Sequence, residues 1–346
     1  MKHVVLIGCG GMSNAWLGPI GEMDDIEVVG LVDLNEDAAI KRKEELCLEN
    51  AKTGTDLDAM LAELKPDAVF DVTTPNVHHY VVLTALKHGC HILGEKPLAP
   101  NMEQATEMVE KAVESGLTYA VIQNRRYLNS IRTVKNELES GKLGHLQVVD
   151  SDFYIGAHFS PNDDKSDFRD TMKHVLLVDM AIHSFDQARY ISGKDPISVY
   201  CHEYNPEGSW YEHDASAICI FEMSDGTVYT YRGSWCSSGL NTSWQCEWRV
   251  VGVNGTLKWD GQNKIEVGTV SSDSGFTRQE TKEIVEVNEV IDHENHAGLI
   301  REFIDCLDSG EKPLTYCQDN IKSLAMVCAA VKSSEEGRKV LISEVM

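Results

Sequence analysis

The sequence predicts an α/β plus α+β protein: an N-terminal domain on a parallel sheet, then a C-terminal domain with a large, open, mainly antiparallel sheet. Three observations carry this. Over residues 1–122, short apolar runs alternate with helical patterns. A glycine cluster, Gly8-Cys9-Gly10-Gly11, follows the first run. Beyond about residue 195, strand patterns come in series, with Asp225-Gly226 and Asn254-Gly255 each separating two of them. Strands alternating with helices mean βαβ units and a parallel sheet. An Asx-Gly pair between two strand patterns is the strongest short hairpin signal.

The apolar runs of the first part are 4–7, 26–32, 68–72, 91–93 and 119–122. They are apolar on both alternations, as expected of strands covered on both faces. Between the last two, Met102, Ala105, Met108, Val109 and Ala112 share one face at helical spacing, and Gly116 suits the C-terminal cap. The second part opens with one long helix, from about Met172 to Ile191. Trp244, Cys246, Trp248 and Val250 alternate with polar residues, which reads as a one-sided strand. The span 195–285 is therefore mostly antiparallel sheet, and the chain returns to helix from His296 to about Leu307 and from Asp319 to its end. The domains are placed at 1–122 and 123–346, with the C-terminal helices 294–346 in the second.

Length and charge set limits. A chain of 346 residues suits two domains, and 42% hydrophobic residues supply a core for each. The formal net charge of −24 excludes nucleic acid and anionic membrane as natural partners. The first apolar run is too short for a signal peptide, and no run reaches a membrane span, so the expected location is the cytoplasm. Ten cysteines without a C-x-x-C pair form neither a disulfide framework nor a zinc site.

The glycine cluster has a physical task. In strand, glycine turn, helix order, Gly8 permits the tight turn and Gly10 lets the backbone approach a pyrophosphate. Gly11 and Met12 lead into a helix whose free N–H groups and dipole favour phosphate. Ser13 stands where the fingerprint has Gly or Ala, and is still small. Asp33 ends the second run, where a carboxylate accepts ribose hydroxyls and repels a 2′-phosphate. No arginine follows it directly, so NAD is favoured over NADP.

Two further stretches suggest a family. Thr74-Pro75-Asn76-x-x-His79 starts a helix, and Glu95-Lys96-Pro97 ends a strand. Gln123-Asn124-Arg125-Arg126-Tyr127, the turn over 138–144, Asp179-x-x-x-His183, the hairpin over 248–257 and the segment 333–341 follow in order. Together they resemble the Gfo/Idh/MocA oxidoreductases (the glucose–fructose oxidoreductase, inositol dehydrogenase and related enzymes) over nearly the whole chain. The resemblance implies a Rossmann domain and a second domain with a large open sheet, with the active site between them. It implies a cofactor set of Gly8, Gly10, Gly11, Met12, Asp33, Thr74, Pro75, Asn76, His79, Glu95, Lys96 and Gln123. It also implies a cis peptide at Lys96–Pro97, aiming the lysine into the site.

Removing a hydride from an alcohol carbon requires the hydroxyl proton to leave too, so a base must reach that oxygen. His183 is the natural base, because its intrinsic pKa lies near neutrality. Asp179, four residues earlier on the same helix face, would orient the substrate or assist the proton. Lys96 would polarise the nascent carbonyl, and its division of labour with His183 stays open. Asp186 is a further candidate, to orient the imidazole. His174, Asp179 and His183 also offer metal donors, but His174 lies off the shared face, and no metal is expected.

The candidate substrate residues are Lys96, Arg126, Tyr127, Tyr154, His158, Arg169, Asp179 and His183. Arg169 could hold a carboxylate bidentately, hinting at a sugar acid. The expected activity is NAD-dependent oxidation of a secondary hydroxyl of a sugar, sugar acid, glycoside or polyol. The alternatives are a glycosidase-like enzyme with transient oxidation and elimination, and a non-catalytic sugar or dinucleotide sensor. A bare sheet face carrying Tyr229 and Tyr231 on one alternation, with Trp244 and Trp248 on another, would be a large apolar patch. A homodimer or homotetramer through the C-terminal sheet is expected.

Overall fold

The computed structural model describes residues 1–160 and 167–346. The chain divides into two compact units, Met1–Tyr127 with Asp292–Leu324, and Leu128–Ile291 with Ala325–Met346. Among the described residues, no helix is long and apolar enough to cross a membrane.

The first unit holds a parallel sheet of β1 (Lys2–Ile7), β2 (Ile26–Val32), β3 (Lys52–Gly54), β4 (Ala68–Asp71), β5 (His91–Gly94) and β6 (Tyr119–Val121). The strand order is β3-β2-β1-β4-β5-β6, the doubly wound order of a Rossmann fold. Five strands coincide with the apolar runs. The exception, β3, is Lys-Thr-Gly and has no apolar residue to announce it. The connecting helices are α1 (Ser13–Ile20), α2 (Glu36–Glu45), α3 (Leu57–Leu64), α4 (Pro75–Lys87) and α5 (Met102–Ser115). In α5 the Asn101 side chain accepts from Gln104 N, and Gly116 closes the helix at φ 71°. Its buried residues are the five on the expected face.

The expected division does not follow the compact units at the C-terminal end. Helix α8 (Asn295–Ser309), assigned to the second domain from sequence order, belongs to the first unit. The reason is its apolar face: Leu299, Ile300, Phe303 and Ile304 are fully buried, with Phe303 edge-on to Phe70 of β4 at 6.0 Å. Arg301 adds an ion pair to Asp25 at 2.7 Å.

The second unit begins with α6 (Asn129–Glu139). Its nine-stranded sheet comprises β7 (Leu146–Tyr154), β8 (Pro196–Tyr204), β9 (Ser216–Met223), β10 (Val228–Ser234), β11 (Glu247–Gly252), β12 (Gly255–Trp259), β13 (Ile265–Ser272), β14 (Gln279–Val285) and β15 (Val340–Leu341). All neighbours are antiparallel except β7 and β10. Helix α7 (Ile182–Ser192) packs on one face, with Phe185 at 4.9 Å from Phe221 and 5.4 Å from Tyr231.

Four expectations need correction here. Tyr229, Tyr231 and Trp248 are buried on the covered face, because their alternation is the one that α7 meets. The apolar residues on the open face are instead Tyr200, Ile218 and Ile220 of β8 and β9. Strand β11 starts at Glu247, since Cys246 takes φ 65°, which breaks the pleat and leaves Trp244 exposed. The long helix does not start at Met172: His174 sits at φ 53°, and a π-helical segment, Leu176–Ala181, precedes α7. At the C-terminus, α9 (Cys317–Glu336) stops short, and β15 pairs with β8 as an edge strand. Residues of α9 up to Leu324 fall in the first unit and those from Ala325 in the second.

Candidate active site

The first unit gathers its candidates at one edge. Gly8 follows β1, Asp33 follows β2, Thr74 caps α4 just after β4, Glu95 and Lys96 follow β5, and Gln123 follows β6. All stand at the carboxyl ends of parallel strands, where open α/β sheets bind ligands.

Local contacts explain the glycines. Gly8 has φ 96°, and a Cβ there would stand 2.5 Å from the Val72 carbonyl oxygen. Gly10 and Gly11 differ: a Cβ on either meets nothing within 4 Å, so the loop is an open cradle. Ser13 is fully buried and its Oγ donates to the Gly10 carbonyl at 2.6 Å, so the departure from Gly/Ala stabilises the turn. The Asp33 carboxylate accepts from Cys9 N at 2.8 Å and from Asn35 N at 2.9 Å. It therefore faces the glycine loop, where a ribose would lie. Arg42 of α2 braces the same loop by donating to the Gly10 carbonyl at 3.2 Å, and Glu45 neutralises it at 2.8 Å. The Gln123 amide is buried, with no hydrogen-bond partner for either polar atom among the described residues. An open cradle, an oriented carboxylate and an orphaned buried amide at one sheet edge fit a dinucleotide.

The Lys96–Pro97 peptide is cis, as expected. Glu95 turns inward instead of towards the loop. Its carboxylate accepts from Trp16 Nε1 at 2.8 Å and from Lys96 N at 3.2 Å, and burial raises its pKa. It thus ties α1 to the backbone of Lys96. His79 is directed to Glu107 of α5, at 2.8 Å. Its neighbour His78 went unnoticed in the sequence. Buried, it sets Nδ1 3.0 Å from the Pro97 carbonyl and Nε2 3.1 Å from the Thr73 carbonyl, bridging the β4 and β5 ends. A signal existed: His78 shares the apolar stripe of Val81, Val82 and Ala85, whereas Asn76 and Tyr80 are exposed. Thr74 and Asn76 are exposed and Pro75 is half-buried at the first turn of α4.

Arg126 and Tyr127 have structural partners within the first unit. Arg126 is buried, donating to the Leu314 carbonyl at 2.9 Å and pairing with Asp319 at 3.1 Å. Tyr127 is buried and donates to Glu302, while its carbonyl accepts from Asn295 N at 2.6 Å. These bonds hold α8 and the start of α9, a cost no single-sequence pattern reveals because partners lie far along the chain.

In the second unit Asp179 lies in the π-helical segment and His183 in the first turn of α7. The π turn changes the angular offset from that of a plain α-helix, and such bulges recur at functional sites. His183 and Asp186 are buried. Arg169 donates from Nε to Asp179 at 2.7 Å and from Nη1 to Asp167 at 3.1 Å. Its guanidinium lies 4.5 Å from the Phe159 ring centroid and 4.3 Å from that of Phe168. Burial opposes the charge of Arg169, but Asp179 and Asp167 outweigh it and raise its pKa. His174 turns away from this group to Glu203, at 2.8 Å, and that bond raises its pKa. His158 stacks on Trp210 at 4.8 Å. Tyr154 shares the alternation of Asp150 and Asp152, opposite to Phe153, so it faces away from the side that α7 covers.

A doubly wound sheet with a glycine cradle and an oriented carboxylate at its edge defines a dinucleotide-binding domain. The comparisons agree. Residues 2–123 match the family model of an oxidoreductase family with an NAD-binding Rossmann fold, and residues 131–258 match that of the GFO/IDH/MocA C-terminal domain. An uncharacterised protein, y4oX, of Sinorhizobium fredii is 31% identical over 99% of this chain and 97% of its own. The myo-inositol 2-dehydrogenase of Thermotoga maritima is 25% identical over 99% of each chain. Among solved structures, an oxidoreductase of Agrobacterium radiobacter in complex with NAD+, L-tartaric acid and magnesium has a TM-score of 0.88 at 21% identity. It covers 100% of this chain and 99% of that one. The chain belongs to the Gfo/Idh/MocA family of oxidoreductases, and its cofactor is NAD.

Proposed function

We propose that this protein oxidises a secondary hydroxyl of a sugar, sugar acid, glycoside or polyol, with Lys96, Asp179 and His183 acting on the reacting carbon. The observation that carries the reading is the shared edge of the first sheet. Lys96 stands at the same strand ends as the glycine cradle, Asp33 and Gln123. Relatives named as dehydrogenases of myo-inositol and of D-glucosides support the substrate class.

Bound NAD supplies the hydride acceptor. The chain itself supplies the rest. Gly10, Gly11 and the α1 N-terminus receive the pyrophosphate, and Asp33 takes ribose hydroxyls. His183 Nε2 or Nδ1 takes the hydroxyl proton as the base. Lys96 Nζ hydrogen-bonds the oxygen on which negative charge grows. Asp179 orients the hydroxyl towards the base.

The test is a panel of sugars, sugar acids and polyols followed by NADH formation, with NAD and NADP in parallel. Accumulation of NADH in proportion to substrate supports a dehydrogenase. Turnover without net NADH, releasing an aglycone, would replace it with the elimination chemistry. His183→Ala should lower turnover about a hundredfold, as expected for loss of a general base, with NAD affinity unchanged. Undiminished turnover would remove His183 from the mechanism.

A further inference from the structure

We propose that Arg169 is a positioning residue that holds the Asp179 carboxylate, and that the substrate is an uncharged polyol or sugar. This rests on the role given to Asp179 above and narrows the substrate class.

Arginine receives a carboxylate bidentately through one of two donor edges, Nε with Nη2 or Nη1 with Nη2. In this protein both edges are spoken for. Nε donates to Asp179 at 2.7 Å. Nη1 donates to both oxygens of Asp167, at 3.1 Å each. Either edge retains Nη2 alone. Two phenyl rings crowd the guanidinium as well, Phe159 at 4.5 Å and Phe168 at 4.3 Å.

The holder is itself held. Asp167 caps the short helix Phe168–Thr171 by accepting from Arg169 N at 2.9 Å, and its own N donates to Ser160 Oγ at 3.0 Å. Ser160 Oγ donates in turn to the buried Asp170. A cation clamped by Asp167 and crowded by two phenyl rings, with its next bond to Asp179, is a device for orienting that carboxylate. Asp179 lies in a π segment, where the backbone alone specifies direction less tightly.

Charge gives the second part. Within this cluster one guanidinium already faces two carboxylates, so it has no surplus positive charge to offer a substrate carboxylate. A third carboxylate would meet repulsion, and to bind it would have to displace Asp167 or Asp179. A hydroxyl group needs neither.

Crystal structures of Arg169→Gln and Arg169→Lys test the positioning role without substrate. Asp179 should leave its wild-type rotamer or lose order in the glutamine variant and keep it in the lysine variant. An unmoved Asp179 in the glutamine variant overturns the role. Where that variant does not fold, Arg169→Met removes the donors at similar length, and the same criterion applies.

Turnover tests the substrate class, with myo-inositol and methyl glucoside set against glucuronate and tartrate. The neutral compounds should be oxidised with kcat/KM at least about a hundredfold above the acids. Arg169→Gln should lower kcat on a neutral substrate about tenfold or more, with KM for NAD unchanged and partial rescue in Arg169→Lys. An acid preferred over its neutral counterpart, with that preference lost in Arg169→Gln, makes Arg169 a receptor and overturns the proposal. If none of the four is oxidised, the dehydrogenase reading falls, and the position of Asp179 in the variant structures still decides the role of Arg169.

Discussion

The two units solve different recognition problems with different materials. The cradle of the first is backbone: Gly8, Gly10 and Gly11, a helix start with no side-chain cap and one carboxylate aimed at the loop. The group in the second is side chain against side chain: Arg169 between Asp167, Asp179 and two phenylalanines, and His174 against Glu203. A pyrophosphate is the same in every dinucleotide, so backbone N–H groups in one fixed geometry suffice. A base and an orienting carboxylate must be tuned, and that takes charged neighbours. Backbone recognition is therefore contiguous in sequence, whereas side-chain recognition is assembled from separate segments.

The sharpest way to break this contrast is within the glycine loop. Gly8→Ala places a Cβ 2.5 Å from the Val72 carbonyl at a φ of 96°, so both the contact and the backbone are strained. The expected cost is about 3 kcal/mol or more, seen as a lowered melting temperature, with NAD binding lost. Gly10→Ala meets nothing within 4 Å. It should leave the melting temperature unchanged while weakening NAD about tenfold or more, because its methyl occupies the space a pyrophosphate approaches. If the two variants behave alike, the cradle is not a separable feature of the turn.

Two histidines extend the contrast to pH. His296, on α8, is pushed by burial down to about 4, with Trp16 beside it at 6.1 Å and Glu95 at 4.0 Å. The unfolded chain takes up a proton below about pH 6.5 that the folded one refuses, so this residue costs stability as pH falls from 6.5 towards 4. By pH 5 the loss is about 2 kcal/mol, taking 1.36 kcal/mol per unit. His174 has the opposite sign. Its pKa is raised by its bond to Glu203, with Glu335 and Asp214 helping against burial. Its contribution is full below pH 6.5 and is lost as pH rises through the higher folded value. Denaturation from pH 5 to 8 should show His296→Phe flattening the acid side and His174→Gln the alkaline side. Unchanged profiles would mean that neither environment survives in solution.

How much was legible follows the same division. The glycine turn, Asp33, the strand that ends in Lys96 and the amphipathic face of α5 were readable because each is local and periodic. Strand β3 was not, since Lys-Thr-Gly has no apolar alternation and is held by its register against Gly30, Leu31 and Val32. Which face of the second sheet is covered could not be read from alternation alone, because Tyr229 and Ile220 look equally apolar in sequence. The difference arises where α7 packs. The pairings Arg126 with Asp319 and Tyr127 with Glu302 join positions nearly two hundred residues apart. The Arg169–Asp179 bond spans only ten residues, yet it depends on a short capped helix with no periodic signal and on a π turn inside the span that the pattern reads as one regular helix.

The smallest expected effect bears on the carboxylate aimed at the backbone cradle. Asp33 has two tasks: it accepts from Cys9 N and Asn35 N, and it presents negative charge where a 2′-phosphate would sit. Asp33→Asn removes the charge and keeps one of the two accepted bonds, because each carboxylate oxygen accepts one and the amide has a single oxygen. Removing the repulsion should shift the NAD-over-NADP preference about tenfold towards NADP, roughly 1.4 kcal/mol, with a lowering of the melting temperature that reflects the one lost bond, about 1 kcal/mol. Titrating intrinsic tryptophan fluorescence with each dinucleotide measures this directly. A preference that does not move would leave Asp33 as a brace for the turn alone, and discrimination against the phosphate would then fall to the shape of the loop.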